Sequence, residues 1–424
     1  MQKSLYFKLK VWIGLLLVSI LPLKADYLLV PMDELQSDHL KAYGIAFWVI
    51  QQGSEVDWLL NYRGGSFMFP LQDVFEKELK IRDVTYDRIT DVASARIIKE
   101  VTSEGVNMDV MKLEKAPRVA VYSPKNKQPW DDAVTLALTY AEIPYDIVYD
   151  EEVMDGKLKD YDWLHLHHED FTGQYGKFWA MYHTQQWYRE QEAENEGIAA
   201  RYKFSKVSQL KLAVALTLRT FVENGGFLFA MCSATDSYDI ALASMHTDIC
   251  SAMFDGDNPS PNAQAELDFK QTFAFENFQL VMDPMIYEFS DIDATTTRQV
   301  TKDMDYFSLF EFSAKWDPVP TMLCQNHTQT IKGFMGQTTS FNIRTLKPEV
   351  LVMGRLKAYE EARYIHGNYG KGMWTFYGGH DPEDYQHMVG DEPTMLELHK
   401  NSPGYRLILN NILFPAAKKK KQKT

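Results

Sequence analysis

The chain has 424 residues, 45% of them hydrophobic and 24% charged, with a formal charge of -14, which is enough apolar material for two or three domains or one large elaborated one. Its acidic balance excludes binding to phosphate backbones by bulk electrostatics, so no nucleic-acid partner is expected. Cys232, Cys250 and Cys324 are the whole cysteine complement, too few for a disulfide framework.

Residues 1–25 read as a secretory leader. Lys3, Lys8 and Lys10 precede an apolar run from Val11 to Leu23, and Lys24, Ala25 and Asp26 follow it, the three-part layout of a signal peptide. The run is short for a membrane span, so an exported protein, periplasmic or secreted, with no transmembrane span after cleavage is predicted; an uncleaved anchor is the competing reading. Without the four leader lysines the charge is -18, and without the five lysines of the tail 418–424 it is -23. That basic tail reads as a solvated appendage.

From Asp26 to Lys115 the pattern predicts a small α/β unit. Tyr27–Val30, Val56–Tyr62 and Val84–Ile89 have strand character, while 33–52, 71–79 and 93–102 have helical spacing. The turn Arg63-Gly64-Gly65-Ser66 reads as punctuation, with an anion-binding nest as the alternative.

After Lys115-Ala116-Pro117 the pattern restarts, and a second domain is predicted over 116–417. Strands at 118–122, 145–149 and 163–167 with a helix at 130–142 imply a mainly parallel α/β sheet with helical crossovers. Two insertions are expected, an aromatic and charged helical one near 171–206 and a turn-rich one near 254–345. Within the second, Asp255, Asp257 and Asn258 lack the rest of a calcium loop's spacing and read as turn residues. Strands at 350–353 and 362–366 lead to a hairpin closed by Gly367 to Gly372. No solenoid repeat is evident.

Gly225 to Ser237, Gly-Gly-Phe-Leu-Phe-Ala-Met-Cys-Ser-Ala-Thr-Asp-Ser, reads as a buried strand, a tight turn at Cys232, and a helix. A cysteine at such an elbow faces the amides and positive end of the next helix, which favour its thiolate; small Ala230 and Ala234 let the two backbones approach. A space-filling thiol, with Ser233 and Asp236 as a plain capping box, is the other reading. A bond between Cys232 and Cys250 would abolish a nucleophile. Gly378-Gly379-His380-Asp381-Pro382-Glu383-Asp384 follows the hairpin, so His380 stands at a strand's carboxyl edge before a helix start capped by Asp381. Parallel strands bring such edges into one crevice, where His380 and Cys232 can meet.

The elbow, the Tyr369-Gly370-Lys371-Gly372 turn and the Gly379-His380-Asp381-Pro382-Glu383 ending resemble the class I glutamine amidotransferase-like superfamily, the ending being most similar to its trehalose-utilisation (ThuA-like) branch. The resemblance implies a flavodoxin-like parallel sheet, with Cys232 as nucleophile, His380 as base, Glu383 or Asp381 orienting it, and Ser233 lending an oxyanion amide. Glu383 is displaced by one position from the family's acid, and the expected glycine-rich oxyanion turn is replaced by His168-Glu169-Asp170. Stretches such as Pro124-Lys125-Asn126-Lys127 and Tyr364-Ile365-His366-Gly367 also resemble chains labelled asparagine synthetase B. The leader and the glycine-free turn 232–237 speak against ATP-dependent synthesis, since no backbone wraps pyrophosphate there.

The expectation is therefore an exported Cys-His hydrolase or amidase, needing no cofactor, with a small-molecule or carbohydrate substrate recognised by His168, Glu169 and Asp170. Two alternatives stand beside it: a non-catalytic ThuA-like module binding carbohydrate or an envelope partner, and a metal-assisted hydrolase using His167, His168, Glu169 and Asp170 with His380 or Asp381. On a strand, adjacent side chains point apart, so His167 and His168 converge only if the strand has ended before them.

Overall fold

The computed structural model describes residues 26–418, Lys127 and Ala358 excepted. The expected leader and the tail beyond Lys418 lie outside the described residues. Among the described residues no helix is long and apolar enough to cross a membrane. The chain forms a mixed α/β structure on two sheets.

The first sheet contains β1 (Tyr27–Val30), β2 (Val56–Leu60), β3 (Ser66–Pro70), β4 (Asp87–Ile89) and β5 (Asp109–Leu113) in the order β4-β1-β3-β2-β5. Every neighbouring pair is antiparallel. β3 and β5 were not anticipated from the pattern. The turn 63–66 joins β2 to β3 as a hairpin, and its Arg63 is committed to ion pairs with Asp33 and Asp87 at 2.7 and 3.1 Å, so it is a braced turn and not an anion nest. Gly64, at φ 76, is required there: a Cβ would fall 2.2 Å from the Met32 carbonyl oxygen.

Among the described residues the second sheet has ten strands. β6 (Val119–Tyr122), β7 (Asp146–Val148), β8 (Trp163–Leu166), β9 (Phe227–Met231) and β15 (Gly372–Tyr377) are parallel, in the order β15-β9-β8-β6-β7. β10 (Tyr306–Leu309), β11 (Thr330–Lys332), β12 (Phe341–Asn342), β13 (Leu351–Leu356) and β14 (Glu361–Tyr369) extend it with antiparallel pairings. The sheet is thus mixed, parallel only in part. The turn-rich stretch 254–345 supplies three of its strands, because short runs such as Tyr306–Leu309 find partners that periodicity alone does not reveal.

Helix Val207–Glu223 crosses from the insertion to β9. Its buried residues Val207, Leu210, Lys211, Val214, Leu218 and Val222 recur at helical spacing, and buried Lys211 is neutralised by Asp150 at 2.8 Å. Helix Ala133–Tyr140 starts at Asp132, whose Oδ1 accepts from the Val134 and Thr135 amides at 2.8 and 2.9 Å, a side-chain N-cap. One apolar cluster runs from Trp58 and Phe67 through Tyr43, Leu138 and Leu409 to Phe229 and Tyr377, so the sheets share a core. Contact there is close: a Cβ on Gly44 would lie 1.8 Å from the Ala141 carbonyl oxygen.

Candidate active site at the parallel strand ends

The registers Tyr122 with Leu166, Leu166 with Ala230 and Met231 with Tyr377 align the carboxyl ends of β6, β8, β9 and β15. Cys232, His167, His168 and His380 each follow one of these ends by at most three residues. Cys232 follows β9 directly, in the left-handed region at φ 52, a conformation that costs a non-glycine residue about 1–2 kcal/mol. Its amide donates to the Gly379 carbonyl at 3.2 Å, and its carbonyl accepts from Thr235 Oγ1 at 2.7 Å. The sulfur is buried and accepts from the Gln337 amide at 3.2 Å. Ser233 takes a helical conformation, makes no side-chain cap bond, and its hydroxyl has no partner. The expected capping box is therefore absent, the Asp236 carboxylate accepting instead from Thr338 Oγ1 at 2.8 Å.

His380 is delivered by two glycines after β15. A Cβ on Gly378 would lie 2.5 Å from the Thr339 carbonyl oxygen, and Gly379 is at φ 102. Burial favours the neutral imidazole, but Asp131 and Cys232 outweigh it and push the ring's pKa up to about 10. Asp131 Oδ1 lies 3.5 Å from His380 Nε2 and 3.1 Å from His387 Nε2, and the two rings stack at 4.7 Å. Desolvation opposes the Asp131 anion, yet the two histidines hold its pKa below the usual value.

The acid facing His380 is thus Asp131, not Glu383 or Asp381. Glu383 pairs with His399 at 3.1 Å. Asp381 accepts from the Glu383 and Asp384 amides and from the Tyr405 hydroxyl; it ties the turn to helix Pro403–Leu413. The one-residue displacement of Glu383 already carried this outcome, since Asp381-Pro382 starts a capped turn that points the next side chain away. Asp131 went unnoticed because Asp131-Asp132 looks like an ordinary helix start. Two carboxylates on the loop that leads from the parallel strand β6 into the next helix were the available signal.

β8 ends at Leu166, which lets His167 and His168 turn the same way. Their ring centroids are 4.8 Å apart and lie 4.5 and 5.7 Å from that of His380. Asp132 Oδ2 faces His165 Nε2 and His167 Nδ1, each at 3.2 Å. Trp130 Nε1 donates to His168 Nε2. Glu169 and Asp170 are not brought to this face. The Asp170 carboxylate accepts from the amides of Thr172, Gln174 and Gly176 at 2.7, 2.7 and 3.1 Å and closes the start of the insertion. Burial raises Glu169 to about 8, with Lys211 opposing. The grouping expected for substrate or metal therefore reduces to His167 and His168, joined by His380.

A cavity of about 200 Å³ opens over these groups, walled by Trp130, Phe178 and Tyr287 and floored by Cys232, Gln337 and His380. It is small beside pockets for drug-sized ligands. Cys250 sits elsewhere, its sulfur donating to the Thr172 carbonyl at 3.2 Å, and all three cysteines are free. The acidic turn at Asp255 and Asp257 is neutralised by Lys206, which also reaches Asp248 at 2.6 Å.

No family model and no curated protein matches the chain. Among solved structures it is similar to Cytoplasmic Protein STM3548 from Salmonella typhimurium, at 11% identity over 71% of this chain and 100% of that one, TM-score 0.34. Cytoplasmic Protein STM1381 from Salmonella typhimurium LT2 gives 10% identity, the same coverages and TM-score 0.34. Gan42B, a GH42 beta-galactosidase, gives 10% identity over 63% of this chain and 28% of that one, TM-score 0.26. Likeness at these TM-scores carries no argument about fold or function.

Proposed function

We propose that the chain is an exported cysteine hydrolase of class I glutamine amidotransferase-like type, with a flavodoxin-like parallel core, acting on a small amide. One observation carries the reading: Cys232 is held in the left-handed region at the end of β9 while His380, backed by Asp131, stands at the end of the adjacent parallel strand β15. Strain of that kind persists where surrounding structure imposes it, and it concentrates at functional turns.

In this reading the Cys232 thiolate adds to the amide carbonyl carbon, and the S–C bond forms before the C–N bond breaks. His380 gives its proton to the departing amine. Water, losing a proton to the now neutral His380, cleaves the thioester and frees the acid, restoring the thiolate and the protonated His380. The Gln337 amide, 3.2 Å from the sulfur, supplies a donor for negative charge at the reacting centre. Asp131 is the positioning residue of the histidine. The cavity volume of about 200 Å³ suits a substrate the size of an amino acid or a single sugar ring. Export rests on the leader motif of residues 1–25.

The test is ammonia release from a panel of small primary amides by the purified mature protein. Turnover that Cys232→Ala abolishes supports the reading. Turnover retained in Cys232→Ala, or a thiol inert to alkylation in the native protein, overturns it.

A further inference from the structure

Five of the chain's eleven histidines, His165, His167, His168, His380 and His387, gather at this crevice. The partnering of their nitrogens divides them. His165 and His387 have an oxygen within 3.2 Å of each ring nitrogen. By contrast His167 Nε2 and His168 Nδ1 are buried with neither a hydrogen bond nor an ion pair, a buried polar atom left so forfeiting about 1–3 kcal/mol, and His380 Nε2 has only the Asp131 carboxylate, at 3.5 Å. Each of these three residues offers a nitrogen within 4.8 Å of the other two.

We propose that His167, His168 and His380 form a three-imidazole site for a divalent transition metal of the zinc class, and that metal there takes His380 from Cys232 and suppresses the thiol. The second half rests on the hydrolase reading above; the first does not. Three imidazoles, His380 giving up its proton to the ion, with a fourth position open to a cavity are the donor set and geometry such ions take. Zinc–nitrogen bonds of about 2.1 Å place tetrahedral ligand nitrogens about 3.4 Å apart, so each pair closes by at most about 1.4 Å, within reach of small ring rotations.

Two carboxylates stand behind the ligands. Asp132 faces His167 Nδ1 at 3.2 Å, leaving Nε2 for the ion, and Asp131 stands 3.5 Å from His380. Both balance a dication, and Asp132 orients its histidine as supporting carboxylates do in histidine metal sites, whereas Asp131 faces His380 Nε2 itself and contributes charge alone. The remaining groupings of ligating side chains compete poorly. Asp131 with His380 and His387, and Asp132 with His165 and His167, share a histidine with this site and already pair internally; Asp248 and Asp255 of a third group hold the Lys206 ammonium, and the fourth, Asp384, His387 and Asp391, includes an exposed carboxylate.

Metal-free mature protein titrated with zinc is expected to bind one ion per chain, and cobalt(II) to give the visible ligand-field absorption of a tetrahedral nitrogen site. His167→Ala and His168→Ala should each weaken zinc by more than the roughly 10–100-fold typical of losing a supporting carboxylate, while Glu383→Gln binds normally. Zinc should slow alkylation of Cys232 in the wild type and not in His168→Ala. No zinc binding by the wild type, or binding that neither variant weakens, overturns the site, and the wild-type cobalt spectrum decides the matter if a variant fails to fold. Zinc binding that leaves alkylation unchanged overturns the regulatory half. A Cys232 that is inert in metal-free protein instead removes the hydrolase reading and leaves the metal site standing.

Discussion

Two of the stacked imidazole pairs in this molecule each join a buried ring to a partly buried one, and their surroundings set them apart. His39 stacks on His327 at 4.5 Å where the two sheets meet, and His380 on His387 at 4.7 Å in the crevice. At the first pair, His39 Nδ1 lies 2.9 Å from Asn401 Oδ1 and Nε2 lies 2.9 Å from the Met32 carbonyl oxygen, while Arg406 bonds the Met32 and Gly64 carbonyls and His327. Burial, then the Arg406 charge, lowers His39 to about 3 and His327 to about 4. The second pair faces Asp131 and a thiol, and His380 rises. A buried polar network with its bonds made holds elements together, whereas one with open nitrogens, a strained cysteine and a cavity is kept for a ligand.

Removing the ring that distinguishes the crevice should have the largest effect. His380→Ala is expected to slow native-state alkylation of Cys232 about 1,000-fold, within the usual contribution of a positioned base, measured by mass spectrometry at each cysteine. Arg406→Ala attacks the other pair. It should cost about 3 kcal/mol in denaturant unfolding, because three bonds to a buried cation are lost together, and leave the labelling rate of folded protein unchanged.

Asp236 sharpens the contrast, since its Oδ2 is buried without a partner. Burial, then nearby Asp293, raises its pKa from 3.8 to about 8. Below the ordinary value both folded and unfolded chains hold the proton. Above it the unfolded chain releases the proton while the fold keeps it, so stability falls as pH rises toward 8. Asp236→Asn should therefore melt later than wild type at pH 8 by about 2 kcal/mol of stability, with the advantage vanishing near pH 4. The smallest effect belongs to Glu383→Gln. Its partner His399 is one-third exposed, so a loss within about 0.5 kcal/mol is expected, with alkylation of Cys232 unaltered.

The elbow was legible because each local choice agreed: glycines at 225 and 226, five apolar residues, and small Ala230 and Ala234 flanking a single cysteine. The meeting of Cys232 with His380 followed from parallel strands sharing a sheet edge. β3 was hidden because Ser66–Pro70 follows a glycine turn and ends in proline, and β5 because Asp109–Leu113 has only two fully buried residues; β3 is fixed by its hairpin with β2 and by β1, and β5 by β2, about fifty positions away. The acid was misplaced because motif spacing says nothing about which of several carboxylates a capped turn aims inward. Asp131 reaches His380 across 249 positions, a contact made by the sheet and not by any local pattern.

Whether Asp131 and His380 activate Cys232 is measured most directly by the rate of alkylation at each of the three cysteines in folded, metal-free protein at neutral pH, with and without Asp131→Asn. Rapid labelling confined to Cys232 and slowed at least about 10-fold by Asp131→Asn is predicted, with Cys250 and Cys324, whose thiols burial holds above the usual range, reacting only on unfolding. Labelling of Cys232 only on unfolding, or at a rate indifferent to Asp131, would contradict it.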